Sequence, residues 1–292
     1  MDRTDRMHRQ STGGSSLRGL AERIRRKARS LNPIPVPLPR YGPAPGNPAA
    51  NTDSPDRRWF SAVQVSAQMI GELAVKAGSI RAVLDVMSRI SSDGYIEFLQ
   101  HYFGDGLNKY GEDWRYADLT TALWAAATTI HPRQYLEIGV RRGRSLSVVA
   151  CAEPTVNIAG FDLWMADYAG MPNPGSTWVR DELARVGHLG HLELVEGDSL
   201  TSVPRYLSRD PGLFFDLITV DGDHSHRGAS FDLRHVLPRL AIGGVVVFDD
   251  IVHPKHPWLA KVWHRYVASQ ARFDSWNFTA LGFGVGVGVR KY

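Results

Sequence analysis

The chain has 292 residues, 43% of them hydrophobic, which is enough for one large domain or two small ones with a proper core. Its single cysteine, Cys151, excludes an intrachain disulfide framework and suits a reducing compartment, so we expect a cytoplasmic protein. No apolar run reaches the length of about 18 residues that a membrane span requires, and no apolar core follows the basic N-terminus. The sequence therefore predicts neither a membrane span nor a secretory signal.

The net charge of +4 is unevenly distributed along the chain. The first 58 residues hold 12 basic and 5 acidic side chains, and the remaining residues hold 22 basic and 25 acidic ones. The basic excess therefore belongs to the N-terminal segment, and the rest of the chain is slightly acidic. This balance makes binding of nucleic acid phosphates by the folded body unlikely as a function.

Residues 1–58 predict a disordered, basic and proline-rich tail. Between residues 33 and 55 lie 8 of the 17 prolines, and the alternation at 33–39 favours extended polyproline II. Residues 17–31 are compatible with a short basic helix. Two interpretations stay open for the tail: a weak contact with a membrane surface or a partner, and a solvated extension that binds nothing.

Residues 59–131 predict a helical cap that covers one edge of a sheet and part of the active site. The apolar spacing is roughly helical in the first half of the cap, and a further helix is predicted at 116–130, ending before Pro132. Three aromatic residues of this segment either stack on an acceptor or pack the cap: Tyr110, Trp114 and Tyr116.

From residue 132 to 292 the pattern alternates between strands and helices, which predicts an α/β domain with a mostly parallel sheet, helices on both faces and an antiparallel C-terminal hairpin. Strands are predicted at 135–140, 157–163, 192–196, 215–221, 245–249, 277–282 and 285–290. Helices are predicted at 145–151, 177–186, 200–208, 229–240 and 261–271.

Two of the predicted strands end in acids. Asp221 follows one apolar run, and Asp249 and Asp250 end another. Because ligands bind past the carboxyl ends of the strands in such a sheet, three carboxylates are expected in one crevice. A hard divalent cation such as Mg²⁺ is the simplest way to offset their repulsion. The alternative is a solvated turn in which one of the two adjacent acids caps a helix.

A glycine turn follows the first predicted strand, in Glu137-Ile-Gly139-Val-Arg-Arg-Gly143. Glycines allow a sharp turn and a close approach to a ligand, and the next helix offers free N–H groups to a carboxylate or phosphate. The spacing differs from the dinucleotide motif Gly-x-Gly-x-x-Gly. Asp162 ends the second strand, where an acid can accept ribose hydroxyls, and Asp198 follows the third.

Together these motifs resemble the class I S-adenosylmethionine (SAM)-dependent methyltransferases over roughly residues 115–292. The closest group is the small bacterial methyltransferases whose fourth strand ends in Asp-Gly-x-His, here Asp221 to His224. These are similar to metal-dependent O-methyltransferases that act on catechols and on sugars of natural products. The resemblance implies a Rossmann-like sheet of seven strands, bound SAM, and often Mg²⁺ at the acids of the fourth and fifth strands.

The resemblance also implies roles for single residues. The methionine part of SAM is assigned to Glu137, Gly139, Gly143 and Ser145, the ribose to Asp162, the adenine end to Asp198, and the metal to Asp221, Asp249 and Asp250. The residues themselves leave other interpretations open. Glu137 is alternatively a buried acid bound to backbone N–H groups, Asp198 a helix cap, and Trp164 either packs on adenine or belongs to the core.

His224 is the preferred general base, acting beside Asp221 on a hydroxyl whose pKa a bound metal lowers. His226 and Asp223 are rival bases, and His224 is alternatively a loop residue that only contacts substrate. Three residues after the fifth strand are predicted to line the acceptor pocket: His253, His256 and Trp258.

We therefore predict a SAM-dependent O-methyltransferase, metal-assisted, that methylates a hydroxyl of a small molecule or glycan, with sugar-containing acceptors first. The alternatives are a metal-independent enzyme in which His224 alone is the base, a non-catalytic scaffold that keeps the fold, and a nucleic-acid methyltransferase that docks through the tail. The sequence leaves a homo-oligomer open as well.

Overall fold

The computed structural model describes residues 63–292 as an α/β fold built on a seven-stranded sheet. The predicted tail and the first four residues of the predicted cap lie outside these residues. The strand order is β3-β2-β1-β4-β5-β7-β6. The strands are β1 Gln134–Ile138, β2 Asn157–Asp162, β3 Leu192–Glu196, β4 Phe215–Val220, β5 Leu240–Asp249, β6 Phe273–Phe278 and β7 Val285–Arg290.

The first five strands run parallel, and β7 lies antiparallel between β5 and β6. The two central strands, β1 and β4, are apolar runs covered on both faces, as is usual for parallel sheets. The predicted Rossmann-like sheet of seven strands with an antiparallel C-terminal hairpin is confirmed.

Nine α-helices lie within residues 63–292, and none of them is long and apolar enough to cross a membrane. They are α1 Ala67–Ala74, α2 Ala77–Arg89, α3 Gly94–Tyr110, α4 Leu119–Ile130, α5 Arg144–Ala152, α6 Ser176–Val186, α7 Ser199–Arg209, α8 His226–Val236 and α9 Trp258–Trp263.

Both faces of the sheet are covered by helices. On one face, α4 contacts β4, β5 and β7, α1 contacts β7 and the edge strand β6, and α5 and α6 continue the layer. On the other face, α7 contacts β2 and α8 contacts β4. Of the helices before β1, α1 and α4 thus lie against a face of the sheet, from its centre to the β6 edge, and α2 packs on α4 and α5.

Capping side chains explain where two of these helices begin. Asp118 caps α4, with its Oδ1 accepting from the N–H groups of Thr120 and Thr121, so the helix starts at Leu119 and not at the predicted residue 116. Asp93 caps α3 in the same way. The helical analysis of the sequence missed α3, whose glycines and aromatic residues obscure the apolar period.

Several further predicted boundaries are wrong. The helix predicted at 229–240 ends at Val236, followed by a 3-10 turn with Pro238, and Leu240 already begins β5. The sixth strand is Phe273–Phe278 and not 277–282, because an edge strand tolerates the polar residues that obscured it. The last helix begins at Trp258 and continues as a π-turn to Ala268.

The aromatic residues of the cap form a packed cluster. The rings of Trp114 and Tyr116 are stacked with centroids 5.5 Å apart, and Tyr102 and Phe103 of α3 meet them at their edges. Trp114 and Tyr116 are buried, so these two residues pack the cap, which was one of the two interpretations of the sequence. Tyr110 is exposed. The cluster fixes α3 against the segment that leads into α4.

Alanine substitutions at two glycines of α3 distinguish the effect of packing from that of helix propensity. A Cβ at Gly106 would lie 2.3 Å from the Trp114 ring, whereas a Cβ at Gly104 would meet nothing within 4 Å. We expect Gly106→Ala to lower the free energy of unfolding by about 1–3 kcal/mol through overpacking. Gly104→Ala should raise it by about 0.5–1 kcal/mol, because alanine favours the helix. Urea denaturation followed by circular dichroism measures both, and equal effects would contradict the packing.

Candidate active site

The glycine turn brings the ends of β1 and β4 into contact. Gly139 has φ +97°, and a Cβ there would lie only 1.9 Å from the carbonyl oxygen of Asp221. The Asp221 N–H donates to the carbonyl of Ile138 at 2.8 Å. Only glycine fits this conformation and this approach, so the turn fixes Asp221 beside the first residues of α5.

Glu137 lies beneath the turn and not on its surface. It is fully buried; one oxygen accepts from Ser145 Oγ at 2.5 Å, and the other is hydrogen-bonded to the Tyr135 hydroxyl. That hydroxyl also lies 2.8 Å from Thr219 Oγ1 on β4. Burial raises the pKa of Glu137 to about 8, although both hydroxyl contacts lower it. The side chains predicted to hold methionine, Glu137 and Ser145, thus bind each other.

Asp162, predicted to bind ribose, ties two loops together. Its Oδ2 accepts from the Arg141 N–H at 2.6 Å, and its Oδ1 accepts from the Trp164 N–H at 2.5 Å. The Trp164 indole N–H donates back to the Arg141 carbonyl at 2.9 Å. Burial raises the pKa of Asp162. Trp164 is thereby held as part of the wall behind the turn.

Asp198, predicted to reach adenine, caps α7. Its Oδ1 accepts from the Leu200 N–H at 2.9 Å, and the residue is otherwise exposed at the end of β3. This is the capping role that the sequence left open as the alternative. The assignments of Glu137, Ser145, Asp162 and Asp198 to SAM stay predictions.

A cleft of about 600 Å³, including its open mouth, lies against the glycine turn. The turn and Asp221 form one wall, and the caps of α3 and α4 with Trp178 and Glu182 of α6 form the others. The lining residues used below are Tyr95, Gly139, Arg141, Arg142, Arg144, Ser145 and Asp221. Three of the predicted site residues, Gly139, Ser145 and Asp221, therefore share one cleft.

The acids of β4 and β5 meet at His224. Its Nε2 lies 3.2 Å from Asp221 Oδ1 and 3.6 Å from Asp250 Oδ2. The hydrogen bond with Asp221 is the main cause that raises the pKa of His224, and burial opposes it. Asp250 has φ +61°, a conformation that is uncommon outside glycine and is concentrated at functional sites. The structure thus brings two of the three predicted carboxylates, Asp221 and Asp250, together at His224.

The crowding of carboxylates alters their protonation. Burial, followed by the charges of Asp221 and Asp250, raises the pKa of Asp249 well above its usual range. Burial and the charge of Asp221 raise the pKa of Asp250 to about 6, while His224 lowers it. Asp249 and Asp250 therefore resist being ionised together unless positive charge is added.

The fit of these acids to Mg²⁺ is mixed. The chemistry of the acids suits Mg²⁺, because all three offer hard oxygen ligands and too little positive charge lies near them to offset their repulsion. Their positions do not suit a metal ion, since no three His, Cys, Asp or Glu side chains within residues 63–292 form a metal-ligating group. His224 contacts two of the carboxylates directly.

The rival bases are placed less favourably than His224. Both oxygens of Asp223 accept from Ser225, one from its N–H and one from its hydroxyl, each at 2.8 Å. His226 is the first residue of α8, two residues beyond His224. The structure thus separates the three residues that the sequence treated as candidates.

The loop after β5 contacts His224. The Trp258 indole N–H donates to the His224 carbonyl at 2.7 Å, and the His256 ring lies with its centroid 5.1 Å from the His224 ring. His253 is next to His256 at 4.8 Å and next to the exposed Phe283 at 4.2 Å. The residues predicted to line an acceptor pocket therefore border the candidate base.

The cationic and aromatic lining of the cleft was not predicted from the sequence. Arg144 lies over the Tyr95 ring at 4.6 Å, and Arg141 lies between Tyr95 and Tyr168 at 6.0 and 5.6 Å. One signal was available: a basic residue opens the helix directly after Gly143, where the helix dipole disfavours a cation. The tyrosines come from distant segments and carry no such signal.

Residues 136–251, less than half of the chain, match the family model described as a methyltransferase domain. The fold and this match show that residues 136–251 resemble a Rossmann-like methyltransferase domain. None of the curated proteins matches the chain.

Several solved structures are similar in fold. TomG, an O-methyltransferase from Streptomyces achromogenes in complex with SAM, is 21% identical, with 70% of this chain and 92% of that chain covered and a TM-score of 0.48. The O-methyltransferase from Bacillus cereus in complex with SAH is 16% identical over 77% and 96% of the two chains, with a TM-score of 0.47. CalS11, a TDP-rhamnose 3′-O-methyltransferase, is 21% identical over 73% and 93%, with a TM-score of 0.47.

The buried Glu137 makes stability depend on pH. Its pKa is about 8 in the folded chain against an ordinary value of 4.5, so its neutral form stabilises the fold below pH 4.5 and this contribution is lost as pH rises through 8. Glu137→Gln is neutral at every pH. Between pH 5.5 and 8 we expect the unfolding free energy of wild type to fall by roughly 3 kcal/mol relative to that of the variant, since one pKa unit is worth about 1.4 kcal/mol.

Urea denaturation of both proteins across this pH range measures the difference. Glu196→Gln removes an exposed carboxyl at the end of β3 and controls for the change in net charge. Parallel pH curves for wild type and Glu137→Gln would show that the buried carboxyl does not hold its proton.

Proposed function

We propose that this protein is a SAM-dependent O-methyltransferase in which His224 is the general base. The acceptor is a hydroxyl of a small molecule or a saccharide. The observation that carries the proposal is the contact of His224 Nε2 with Asp221 Oδ1 at 3.2 Å, next to the cleft that the glycine turn and Asp221 line.

The His224–Asp221 contact prepares an imidazole to accept a proton. A carboxylate only accepts hydrogen bonds, so the Nε2 of His224 donates to Asp221 and its Nδ1 is left as the basic nitrogen. The charges of Asp221 and Asp250 raise the pKa of His224 and stabilise the imidazolium that forms when it takes a proton. Asp221 also fixes the orientation of the ring.

SAM, when bound, supplies a methyl group on a sulfonium, and the attack of an acceptor oxygen on that methyl breaks the carbon–sulfur bond and leaves a neutral thioether. The chain has two tasks in this reaction. His224 removes the proton of the acceptor hydroxyl and passes it to solvent. The walls of the cleft hold the two reactants in contact, which can supply a large part of the rate.

The cleft supports the placement of the cofactor. Gly139 and Ser145 line it at the start of α5, where free N–H groups favour an anionic group. Asp162 and Trp164 stabilise the turn from behind, and Asp198 lies at the far end of the sheet edge beyond β2. SAM bound along this edge would reach the neighbourhood of His224 with its methionine end.

A metal-assisted form of the same reaction is the second candidate. It is favoured by the raised pKa values of Asp249 and Asp250, which indicate a site short of positive charge. Asp221, Asp249 and Asp250 would hold a divalent ion such as Mg²⁺, which would lower the pKa of a bound hydroxyl.

The rings at the cleft support a sugar or an aromatic acceptor. Tyr95 and Trp178 line the cleft, each with an arginine over its ring, and Tyr168 lies beside Arg141. The parts of these rings that the arginines leave uncovered are the surfaces on which an acceptor would pack. We place the reaction in the cytoplasm because the one cysteine, Cys151, is a free thiol.

Replacing the base should stop methyl transfer without removing the cofactor. We expect His224→Gln to lower the turnover of SAM by about 10²- to 10⁴-fold, the usual contribution of general base catalysis, with the Kd of SAH little changed. The measurement is release of SAH in the presence of a panel of sugar nucleotides and catechols. His226→Gln and Asp223→Asn are the matched controls. A loss in either control with none in His224→Gln would assign the base elsewhere.

Calorimetric titration separates the two candidates. SAH should bind wild type at micromolar concentration without added metal. If the metal-assisted form is correct, Mg²⁺ should give a heat that Asp249→Asn/Asp250→Asn abolishes, and chelation should stop turnover. Full turnover in excess chelator would leave the His224 mechanism alone, and failure of both SAM and SAH to bind would overturn the proposed function.

A further inference from the structure

We propose that Arg144 binds the α-carboxylate of SAM, so that Arg144 and Asp221 together make the cleft complementary to an amino-acid zwitterion. The inference deepens the proposed function and rests on it. It names the residue that would distinguish the complete cofactor from analogues without a carboxylate.

Arg144 occupies an unusual position for a cation. It is the first residue of α5, directly after Gly143, where the partial positive charge of the helix N-terminus disfavours a basic side chain. Its Nε is buried and has no hydrogen-bond partner. Since buried polar groups are nearly always hydrogen-bonded, an unpaired guanidinium nitrogen beside a cleft indicates a missing acceptor.

The acids near Arg144 attract it without pairing with it. Burial opposes the charge of Arg144, but its pKa is raised overall by Tyr95, which is hydrogen-bonded to the guanidinium, and by the charges of Asp118 and Asp221. Within residues 63–292 no ion pair is formed with it. Asp118 Oδ1 is already used in capping α4, where it accepts from Thr120 and Thr121. The guanidinium is held over the Tyr95 ring at 4.6 Å and is therefore positioned for a ligand.

The two neighbouring arginines are less suited to this role. Arg142 is paired with Asp93, Nε to Oδ2 at 2.7 Å, and its guanidinium also lies over Trp178 at 4.9 Å. Arg141 lies between Tyr95 and Tyr168, and its Nη2 contacts the Met171 sulfur at 3.8 Å. Arg144 is the one of the three whose buried nitrogen has no partner.

The opposite charges of the cleft match the two ends of an amino acid. Arg144 and Asp221 both line it, together with Gly139 and Ser145. A carboxylate at Arg144 would also receive the free N–H groups at the start of α5, and an ammonium group would be attracted to Asp221. Only a ligand that carries both charges satisfies both residues.

The test compares SAM with decarboxylated SAM, which keeps the sulfonium and the ammonium group and lacks only the carboxylate. Calorimetry gives the Kd of each for wild type, Arg144→Met and the matched variants Arg142→Met and Arg141→Met. We expect wild type to prefer SAM by about ten- to hundred-fold, the range for hydrogen bonds to a charged group. Arg144→Met should abolish this preference by weakening SAM alone, and the other two variants should keep it.

Three results would overturn the inference: an unchanged preference in Arg144→Met, an equal loss of both ligands in that variant, or loss of the preference in Arg141→Met instead. Circular dichroism checks the fold of each variant. If Arg144→Met does not fold, Arg144→Lys replaces it and is expected to keep only part of the preference. Failure of wild type to bind either ligand would instead overturn the proposed function itself.

Discussion

The close contact between β1 and β4 at Gly139 is the constraint on which the site depends. These strands are neighbours at the centre of the sheet, and the turn that leaves β1 passes against the backbone of Asp221. Any side chain at Gly139 would separate them. Because the contact is between backbones, it fixes the direction in which Asp221 leaves β4, and with it the loop that carries His224.

Asp221 is shared by the two functional parts of the site. On one side it is bonded to His224, which also approaches Asp250, and on the other it faces the cleft and attracts Arg144. His224 and Arg144 thus lie around one carboxylate whose position the backbone determines. A change in the charge of Asp221 would therefore alter both the proposed base and the proposed cofactor contact. This coupling explains why cofactor binding and proton transfer need separate measurements in variants of this loop.

The strand ends could be predicted from the sequence because buried parallel strands are short apolar runs followed by the functional acids. β3 and β7 agree with their predicted bounds, and β4 differs by one residue. β5 begins five residues earlier than predicted, and it shifts register against β4 between Leu240 and Val245. Apolar periodicity gives no information about such irregularities.

The chemistry of the site was only partly accessible from the sequence. Acids at strand ends were recognisable, and the proximity of Asp221, Asp249 and Asp250 followed from the topology. The contact between Tyr95 and Arg144 joins residues 49 positions apart on two different helices, and no local pattern marks it. The hydrogen bonds of Asp162 and Asp198 to backbone N–H groups likewise depend on loop conformations that only the folded chain specifies.

Burial gives Glu137 a different role from the one that its sequence motif suggested. An acid before the first glycine suggested a ligand for the methionine part of the cofactor, yet it lies beneath the turn between two hydroxyl groups. With a pKa of about 8 it is mostly protonated at neutral pH, so it adds little charge to the cleft. Its hydrogen bond to Ser145 instead connects β1 to the first turn of α5, the same turn that holds Arg144. A neutral acid is suited to this role, because a second buried carboxylate next to Asp221 would repel it and draw Arg144 away from the cleft.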